Sequence, residues 1–221
     1  YNKTIIYNDQ QHCAETFADL VRNLNIKIPQ IKNLIPLPTN KEDKKAVEKI
    51  LKENNIKAPI MIIAPGAAES GRSRIWPQER FSKLADAMAE KKYQVAFIGT
   101  ENENDLIVDI QQPMQNKSIN LAGKTNLHQL AYLLKKAKLM IGNDSGPMHL
   151  AAAMGTKTMG LFGPNLPVRF RPIGKNNKAI YKATCPCSPC INVHLGQIGN
   201  CIDDDPKCIK AIQVEDVVKE I

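Results

Sequence analysis

The chain has 221 residues, of which 43% are hydrophobic, 5% aromatic and 24% charged. This composition excludes a disordered chain, and no uninterrupted apolar run approaches the roughly 18 residues of a membrane span. The 30 Lys and Arg against 22 Asp and Glu give a net charge of +8, which favours an anionic partner: nucleic acid, an anionic membrane or a phosphorylated small molecule.

Residues 1–40 differ in pattern from the rest of the chain. Residues 3–7 resemble the end of a strand, residues 11–24 have helical spacing, and residues 29–38 hold three prolines, as linkers often do. No secretory signal is visible at the start. We expect this segment to be the tail and linker of a missing N-terminal domain, with one further domain over residues 41–221.

Helices and short apolar strands alternate after the linker, which is the pattern of βαβ units. The predicted elements are, in chain order, a helix at 41–53, a strand at 60–64, a helix from Pro77 to Met88, a strand at 94–98, a helix at 104–110, a strand at 118–121, a helix from Thr125 or Asn126 to Leu134, a strand at 139–141, a helix at 147–154 and a strand at 158–162. The sequence therefore predicts an α/β fold with a Rossmann-like doubly wound parallel sheet.

Ligands of such sheets bind beyond the carboxyl ends of the strands, so the strand-to-helix junctions are candidate sites. The first junction, residues 64–77, combines Gly and Ser with Arg72 and Arg74. Small residues let backbone N–H groups approach a phosphate, and Arg side chains donate to it in pairs. The alternative is a flexible connection whose Trp76 packs on the sheet.

The same junction spells G-x-x-x-x-G-R-S over residues 66–73, one substitution from a P-loop. An NTPase is therefore an alternative function. Two features oppose it: Arg72 stands where a P-loop has Lys, and Pro77 falls where the P-loop helix should already be running.

The second junction, residues 98–104, follows a strand with Gly99, Glu101 and Glu103. Carboxylates there suit the recognition of sugar hydroxyls, but they equally complement a helix N-terminus.

The third junction, residues 141–155, begins a helix that Asp144 or Ser145 can cap, with Pro147 near its first position. The free N–H groups of Ser145 and the next residue, Gly146, with the helix dipole, make an anion site. His149 would face the same opening. The alternative is a capping carboxylate and a structural histidine.

The run from Asn143 to Ala152, followed by Gly160 to Pro164, closely resembles the heptosyltransferase family, glycosyltransferase family 9. The stretch from Pro65 to Leu84, the segment 123–127, and the pair His12 and Glu15 fit further family patterns. The resemblance implies the C-terminal, donor-binding domain of a GT-B enzyme. Such enzymes transfer heptose from an ADP-sugar to the lipopolysaccharide inner core, with inversion and without an obligatory metal.

The resemblance also implies roles for individual residues. Asp144 resembles the carboxylate that contacts the donor sugar, and His149 and Arg74 meet the charge of the diphosphate, so these three are the candidate catalytic residues. The candidate donor-binding residues are Ser70, Glu103, Thr125, Ser145, Gly146, Pro147 and Met148. The general base is expected in the missing N-terminal domain, so we expect the chain to bind nucleotide without transferring sugar.

The implied partners are an ADP-sugar donor and a lipid-linked saccharide acceptor, with peripheral contact to an anionic membrane and no nucleic acid. The implied location is cytoplasmic, at the inner face of the bacterial inner membrane. No cofactor is expected for catalysis.

Five cysteines cluster near the end of the chain, at 185, 187, 190, 201 and 208. Cys187, Cys190, Cys201 and Cys208 suit a four-thiolate structural zinc site. Two disulfides and free thiols are the alternatives, and the disulfides are disfavoured in a reducing compartment.

Residues 145–202 contain no Asp or Glu but six Lys or Arg. We expect Arg169, Arg171 and Lys175 to rim the donor cleft. The non-enzymatic alternative is a basic, Cys-stapled nucleic-acid-binding module, but it needs aromatic platforms, and residues 169–182 supply only Phe170 and Tyr181.

Overall fold

The computed structural model describes residues 2–57, 59–182, 185–192, 196, 201 and 204–221, with Glu69 and Ser70 as backbone alone. The strands are β1 (Ile60–Ala64), β2 (Gln94–Phe97), β3 (Ile119–Asn120), β4 (Leu139–Asn143), β5 (Thr158–Phe162) and β6 (Lys178–Tyr181). The helices are α1 (Cys13–Arg22), α2 (Lys41–Glu53), α3 (Gln78–Glu90), α4 (Asn104–Gln111), α5 (Leu127–Lys136), α6 (Gly146–Ala153), α7 (Pro167–Phe170), α8 (Lys207–Lys210) and α9 (Val214–Lys219). Two 3-10 helices cover Glu69–Arg74 and Glu101–Glu103.

The strands form one sheet in the order β3-β2-β1-β4-β5-β6. Every neighbouring pair is parallel. The order reverses between β1 and β4, where Ala64 lies in register with Gly142. This switch point leaves a crevice at the carboxyl edge of the sheet, which is where doubly wound folds bind their ligands.

The sheet is covered on both faces, which explains why β1, β4 and β5 are buried along their whole length. On one face α3, α4 and α9 contribute Phe81, Ile107 and Val217 to a core cluster. On the other face α2, α5 and α6 contribute side chains such as Val47 and Leu133 to a second cluster. The fold class predicted from the sequence, an α/β fold with a doubly wound parallel sheet, is confirmed.

Local capping explains several helix starts. Asn40 accepts from the backbone N–H of Asp43, whose carboxylate accepts in return, so α2 begins with a capping box at the predicted residue. Of the two caps predicted for α5, Asn126 is the one used, since its side chain accepts from the Gln129 N–H.

Some elements differ from the sequence prediction. The strand expected at residues 3–7 is irregular chain, and Ile6 is 95% exposed. Strand β6 and helices α7 to α9 were not predicted, because they are short and their patterns are mixed. In the described part of the chain no helix is long and apolar enough to cross a bilayer.

The N-terminal segment packs against the α/β unit and is hydrogen-bonded to an arginine of α7. Arg169 is 4% exposed, and its Nη1 donates to the carbonyl oxygens of Asn8 at 2.7 Å and Gln11 at 2.9 Å. Its guanidinium carbon lies 5.0 Å from the ring centroid of Tyr7. Residues 7–16 therefore pack on the helix that follows β5.

Candidate functional site

The end of β4 is tied to the loop after β1 by one buried side chain. Asn143 is fully buried; its Oδ1 accepts from the Trp76 N–H at 3.0 Å, and its Nδ2 donates to the Pro65 carbonyl at 2.7 Å. Trp76 is fixed in turn, since its Nε1 donates to the Ile212 carbonyl at 2.9 Å. Asn143 thus fixes the position of the residue that follows it, Asp144.

Asp144 is 3% exposed and is surrounded by donors. The Asn165 Nδ2 donates to its Oδ2. The Arg74 Nη1 donates to the backbone carbonyl of Asp144 at 3.0 Å and lies 3.6 Å from Oδ2, and the His149 Nε2 lies 3.9 Å from Oδ1. A buried carboxylate needs such partners to remain ionised. The predicted catalytic residues Asp144, His149 and Arg74 therefore form one group.

The side chain of Arg74 passes over Gly71 to contact this group. A Cβ at Gly71 would lie 2.4 Å from the Arg74 Nη2, so the glycine leaves the space in which the guanidinium lies. The Nη1 contacts Asp144, whereas the buried Nε has no partner in the structure. The side chain is fixed at one nitrogen and keeps donor capacity for a ligand.

The N-terminus of α6 is open. Its N-cap is Ser145 rather than Asp144, the cap makes no side-chain hydrogen bond, and Pro147 lies in the first turn. The Ser145 Oγ is buried without a partner, and no atom lies within 4 Å of the position that a Cβ at Gly146 would take. Free backbone N–H groups and the helix dipole at this end can hold an anion.

A cavity of about 1000 Å³ lies beside this helix start, beyond the ends of β1 and β2. Five predicted donor-binding residues line it, together with apolar side chains of α5: Glu103, Thr125, Ser145, Gly146 and Pro147, with Leu127 and Leu130. The predicted second and third junctions therefore meet in one cavity, which we name the donor cavity.

Glu103 enters the donor cavity through space that two glycines leave. A Cβ at Gly66 would lie 1.8 Å from the Glu103 Oε1, and one at Gly99 would lie 2.9 Å from Oε2. Oε2 accepts from the backbone N–H of Thr100 at 2.7 Å and from its hydroxyl at 3.1 Å. The capping alternative for this carboxylate is therefore real, and Oε1 is left to accept from a ligand.

Other predicted residues lie outside the donor cavity. Met148 is fully buried in the core, and a Cβ at Gly160 would lie 2.3 Å from its sulfur, so its side chain does not face the diphosphate site as expected. The side chain of Ser70 lies outside the described residues. Asp144, Arg74 and His149 do not line the cavity, but Ser145 joins their group to it.

His149 is neutral near pH 7, because burial lowers its pKa and the charge of Asp144 only partly opposes that shift. At this pH its ring is therefore an N–H donor without a positive charge. Burial also lowers the pKa of His12, whose Nε2 lies 3.0 Å from the Arg171 carbonyl oxygen.

Asn165 was not among the predicted site residues. It follows β5, and its side chain donates to Asp144 from the side opposite to the loop after β1. Its Oδ1 is buried and has no partner. The signal was the polar residue directly after Gly163 and Pro164 at a strand end. Orphaned buried atoms of the described residues belong to the loops at this edge and to α7: Ser73 Oγ, Arg74 Nε, Ser145 Oγ, Asn165 Oδ1, and Nε and Nη2 of Arg169. Such a concentration indicates a ligand site.

The P-loop alternative is wrong. A P-loop serine begins a helix, but the chain is 3-10 helical only to Arg74, Ile75 is extended, and α3 begins at Gln78.

The predicted basic rim is also wrong. Arg169 is buried beneath the N-terminal segment. Arg171 and Lys175 line a different cavity of about 690 Å³, between the start of α1 and the chain that follows α7. They do not line the donor cavity.

No disulfide joins the cysteines that the structure describes, so the two-disulfide alternative has no support there. The Sγ atoms of Cys185 and Cys187 lie 2.9 Å apart, and this contact raises the pKa of Cys187 to about 11. Among the residues that the structure describes, no three His, Cys, Asp or Glu side chains form a group that could hold a metal ion. The predicted zinc site at Cys187, Cys190, Cys201 and Cys208 is not confirmed.

The chain is similar in sequence and in fold to known heptosyltransferases. The chain is 34% identical over 119 residues to lipooligosaccharide heptosyltransferase 2 of Haemophilus influenzae. The matched region covers 52% of this chain and 34% of the relative. A glycosyl transferase family 9 structure from Veillonella parvula has a TM-score of 0.80 at 21% identity and covers 98% of this chain and 61% of that one. The E. coli ADP-heptose lps heptosyltransferase II has a TM-score of 0.69 at 24% identity, covering 87% and 54%.

The matched regions span about a third to a half of the length of the curated relatives. The family model for glycosyltransferase family 9 (heptosyltransferase) matches residues 1–195. It extends through every junction described above. The chain therefore belongs to glycosyltransferase family 9, the heptosyltransferases.

Proposed function

We propose that this chain is the donor-binding half of an inverting GT-B glycosyltransferase. The full enzyme would transfer a heptose or a related sugar from an ADP-sugar to a lipopolysaccharide-core acceptor. The observation that carries the proposal is the buried Asp144, held by Arg74 and Asn165 at the open N-terminus of α6 and joined by Ser145 to the donor cavity.

The donor cavity has the parts that a nucleoside diphosphate needs. The apolar side chains of Leu127 and Leu130 suit a base, and the free Oε1 of Glu103 suits ribose hydroxyls. The N-terminus of α6 suits the diphosphate. ADP is the proposed nucleotide, because the E. coli relative is described as an ADP-heptose enzyme.

The chemical step follows from charge. When the bond between the sugar and the diphosphate breaks, negative charge grows on the leaving oxygen. Arg74, the N–H groups at the start of α6 and the N–H of the neutral His149 stabilise that charge by preorganised donors. Asp144 accepts from hydroxyl groups of the donor sugar. No cofactor is needed for this step.

A general base must deprotonate the acceptor hydroxyl. We propose that it belongs to an N-terminal domain of the full protein, with residues 1–40 as its tail and linker. The apolar side chains of Phe17 and Leu20 on α1 are 56% and 50% exposed, and Leu24 just after it is 55% exposed. This face supports a packing partner of that kind, so the chain alone is expected to bind nucleotide without turnover.

Zinc in the cysteine-rich segment remains a prediction that elemental analysis of purified protein tests. The lipid-linked acceptor supports a cytoplasmic location at the inner face of the inner membrane. A nucleic-acid module is disfavoured, because Arg169, the first basic residue of the stretch 169–182 that would bind it, is buried.

Calorimetric titration tests the proposal. We expect saturable binding of ADP, at least about tenfold tighter than UDP. Asp144→Asn should leave ADP affinity within about twofold but weaken ADP-heptose by about tenfold or more, since it removes a charged acceptor of sugar hydroxyls. The matched control is Asp109→Asn on the exposed side of α4. Equal weakening of both ligands would contradict a sugar-contacting role for Asp144.

A further inference from the structure

The positive charge of the chain is concentrated in a groove that the donor site does not use. A cavity of about 1000 Å³ lies at the amino edge of the sheet, below β4, β5 and β6. It shares Ile173, Gly174, Lys175 and Asn177 with the cavity of about 690 Å³ that lies between α1 and α7. We call the two together the basic groove.

The basic groove carries a large excess of cations. Seven Lys and Arg line it: Lys32, Lys135, Lys138, Lys157, Arg171, Lys175 and Lys178. Among the described residues that line it, the only acid is Glu15, which is already paired with Arg22 at 2.9 Å.

Two of the seven cations have partners. The Lys157 Nζ donates to the Ile221 carbonyl at 2.8 Å, and Lys178 pairs with Glu220 at 2.8 Å. The other five make no ion pair with any carboxylate in the described ranges of the chain. They are exposed side chains on separate segments, so they suit a broad anionic surface better than one enclosed phosphate.

An exposed apolar residue lies at the rim. Ile35 is 92% exposed, and its two neighbours in sequence, Leu34 and Pro36, line the groove. Cations beside an exposed aliphatic side chain are the two components of peripheral membrane binding. Nucleic acid fits less well, because the lining residues that the structure describes include no Phe, Tyr or Trp to stack on bases.

The location is compatible with catalysis. Lys138, Lys157 and Lys178 lie at the start of β4, β5 and β6, so this end of the groove is at the edge opposite to the donor cavity. The other end reaches His12 in the N-terminal segment. A membrane held along the groove therefore leaves the donor cavity open.

We propose that the basic groove is a docking surface for a membrane face rich in anionic phospholipids, with Ile35 entering the headgroup region. This inference rests on the proposed location at the inner face of the membrane, but it does not depend on the proposed nucleotide.

Vesicle sedimentation of the 221-residue chain tests the proposal. We expect partitioning onto vesicles of phosphatidylcholine and phosphatidylglycerol in equal amounts, little onto phosphatidylcholine alone, and release as salt is raised. The triple variant Lys135→Gln/Lys138→Gln/Lys175→Gln should reduce the partition coefficient by about a hundredfold. Ile35→Ser should reduce it by about tenfold.

The control removes the same charge from the other face of the sheet, with Lys83→Gln/Lys91→Gln/Lys117→Gln, and should retain wild-type partitioning. ADP titration of the groove variant should match wild type, so failure of membrane binding and failure of nucleotide binding are distinguishable. Equal partitioning onto neutral vesicles, equal loss in the control, or duplex DNA that displaces the vesicles and loses affinity in the groove variant would each overturn the proposal.

Discussion

The side-chain amide of Asn165 donates to the carboxylate of Asp144, and both residues are 3% exposed. The two lie at the ends of neighbouring strands, β4 and β5. The loop that carries Asn165 is itself held, because the backbone N–H groups of Cys190 and Ile191 donate to the Pro164 carbonyl at 3.0 and 3.2 Å. The cysteine-rich segment therefore supports the position of the carboxylate.

Replacing Asn165 should impair the site without unfolding the chain. Asn165→Ala leaves Asp144 with fewer donors, so ADP-heptose affinity should fall by about tenfold while ADP affinity changes little. Asn165→Asp should be worse, because two carboxylates then face each other. Calorimetry with both ligands measures this, and Asn165→Ser, which keeps a donor, should restore part of the loss. Wild-type affinity in Asn165→Ala contradicts the positioning role.

Gly66→Ala should weaken nucleotide binding through Glu103, whose carboxylate occupies the space of the new Cβ. We expect ADP affinity to fall by about tenfold. A double-mutant cycle with Glu103→Gln provides the check: if the glycine acts through the carboxylate, the two losses are not additive. Additive losses indicate a separate effect of the loop.

Gly142→Ala should destabilise the fold rather than the site. A Cβ there would lie 2.9 Å from the Ala64 carbonyl oxygen on the neighbouring strand, where backbone cannot move away. The free energy of unfolding should fall by about 2 kcal/mol. Gly146→Ala, with open space around the added methyl group, is the control and should unfold at the wild-type denaturant concentration or above it.

Stability should depend on pH through His149. Its pKa is lowered in the folded chain from 6.5. Between the two values the unfolded chain binds more protons, so stability is present above pH 6.5 and is lost as the pH falls below it. His12 acts in the same direction. Denaturant unfolding from pH 7.5 to 5.5 measures the slope. His149→Gln should reduce it, and the exposed His128→Gln should leave it unchanged.

Arg169→Met should release the N-terminal segment. The substitution leaves the carbonyl oxygens of Asn8 and Gln11 without their donor, at a cost of about 2 kcal/mol or more that removal of a partly unsatisfied buried cation only partly offsets. Hydrogen exchange of residues 8–16 should accelerate, whereas the amides of β1 and β4 should remain protected. Unchanged exchange in the segment contradicts its attachment through Arg169.

The sequence predicted the elements that have long or fully apolar patterns. Helix α2 and strands β1 and β5 have the bounds that spacing indicated, because burial on both faces and a capping box leave clear marks. It failed for β6, whose first residue, Lys178, is exposed and whose others are only partly apolar.

The site residues that lie next to one another in the sequence could be predicted. Ser145, Gly146 and Pro147 are adjacent in sequence and start one helix, so their spacing alone indicated an anion site. The contact of Asn165 with Asp144 joins two strand ends, and the burial of Arg169 depends on a segment 150 or more residues away. Neither has a local signal, because packing between distant segments decides them.

The hydrogen bonds from Arg169 to the carbonyl oxygens of Asn8 and Gln11 also determine which parts of the chain can move as one body. Residues 8–16 are attached to the end of β5 and cannot swing without exposing a buried cation. A bending point between this unit and another domain would therefore lie outside them. Opening and closing of the cleft above Asp144 would then carry His12 along with the donor-binding half.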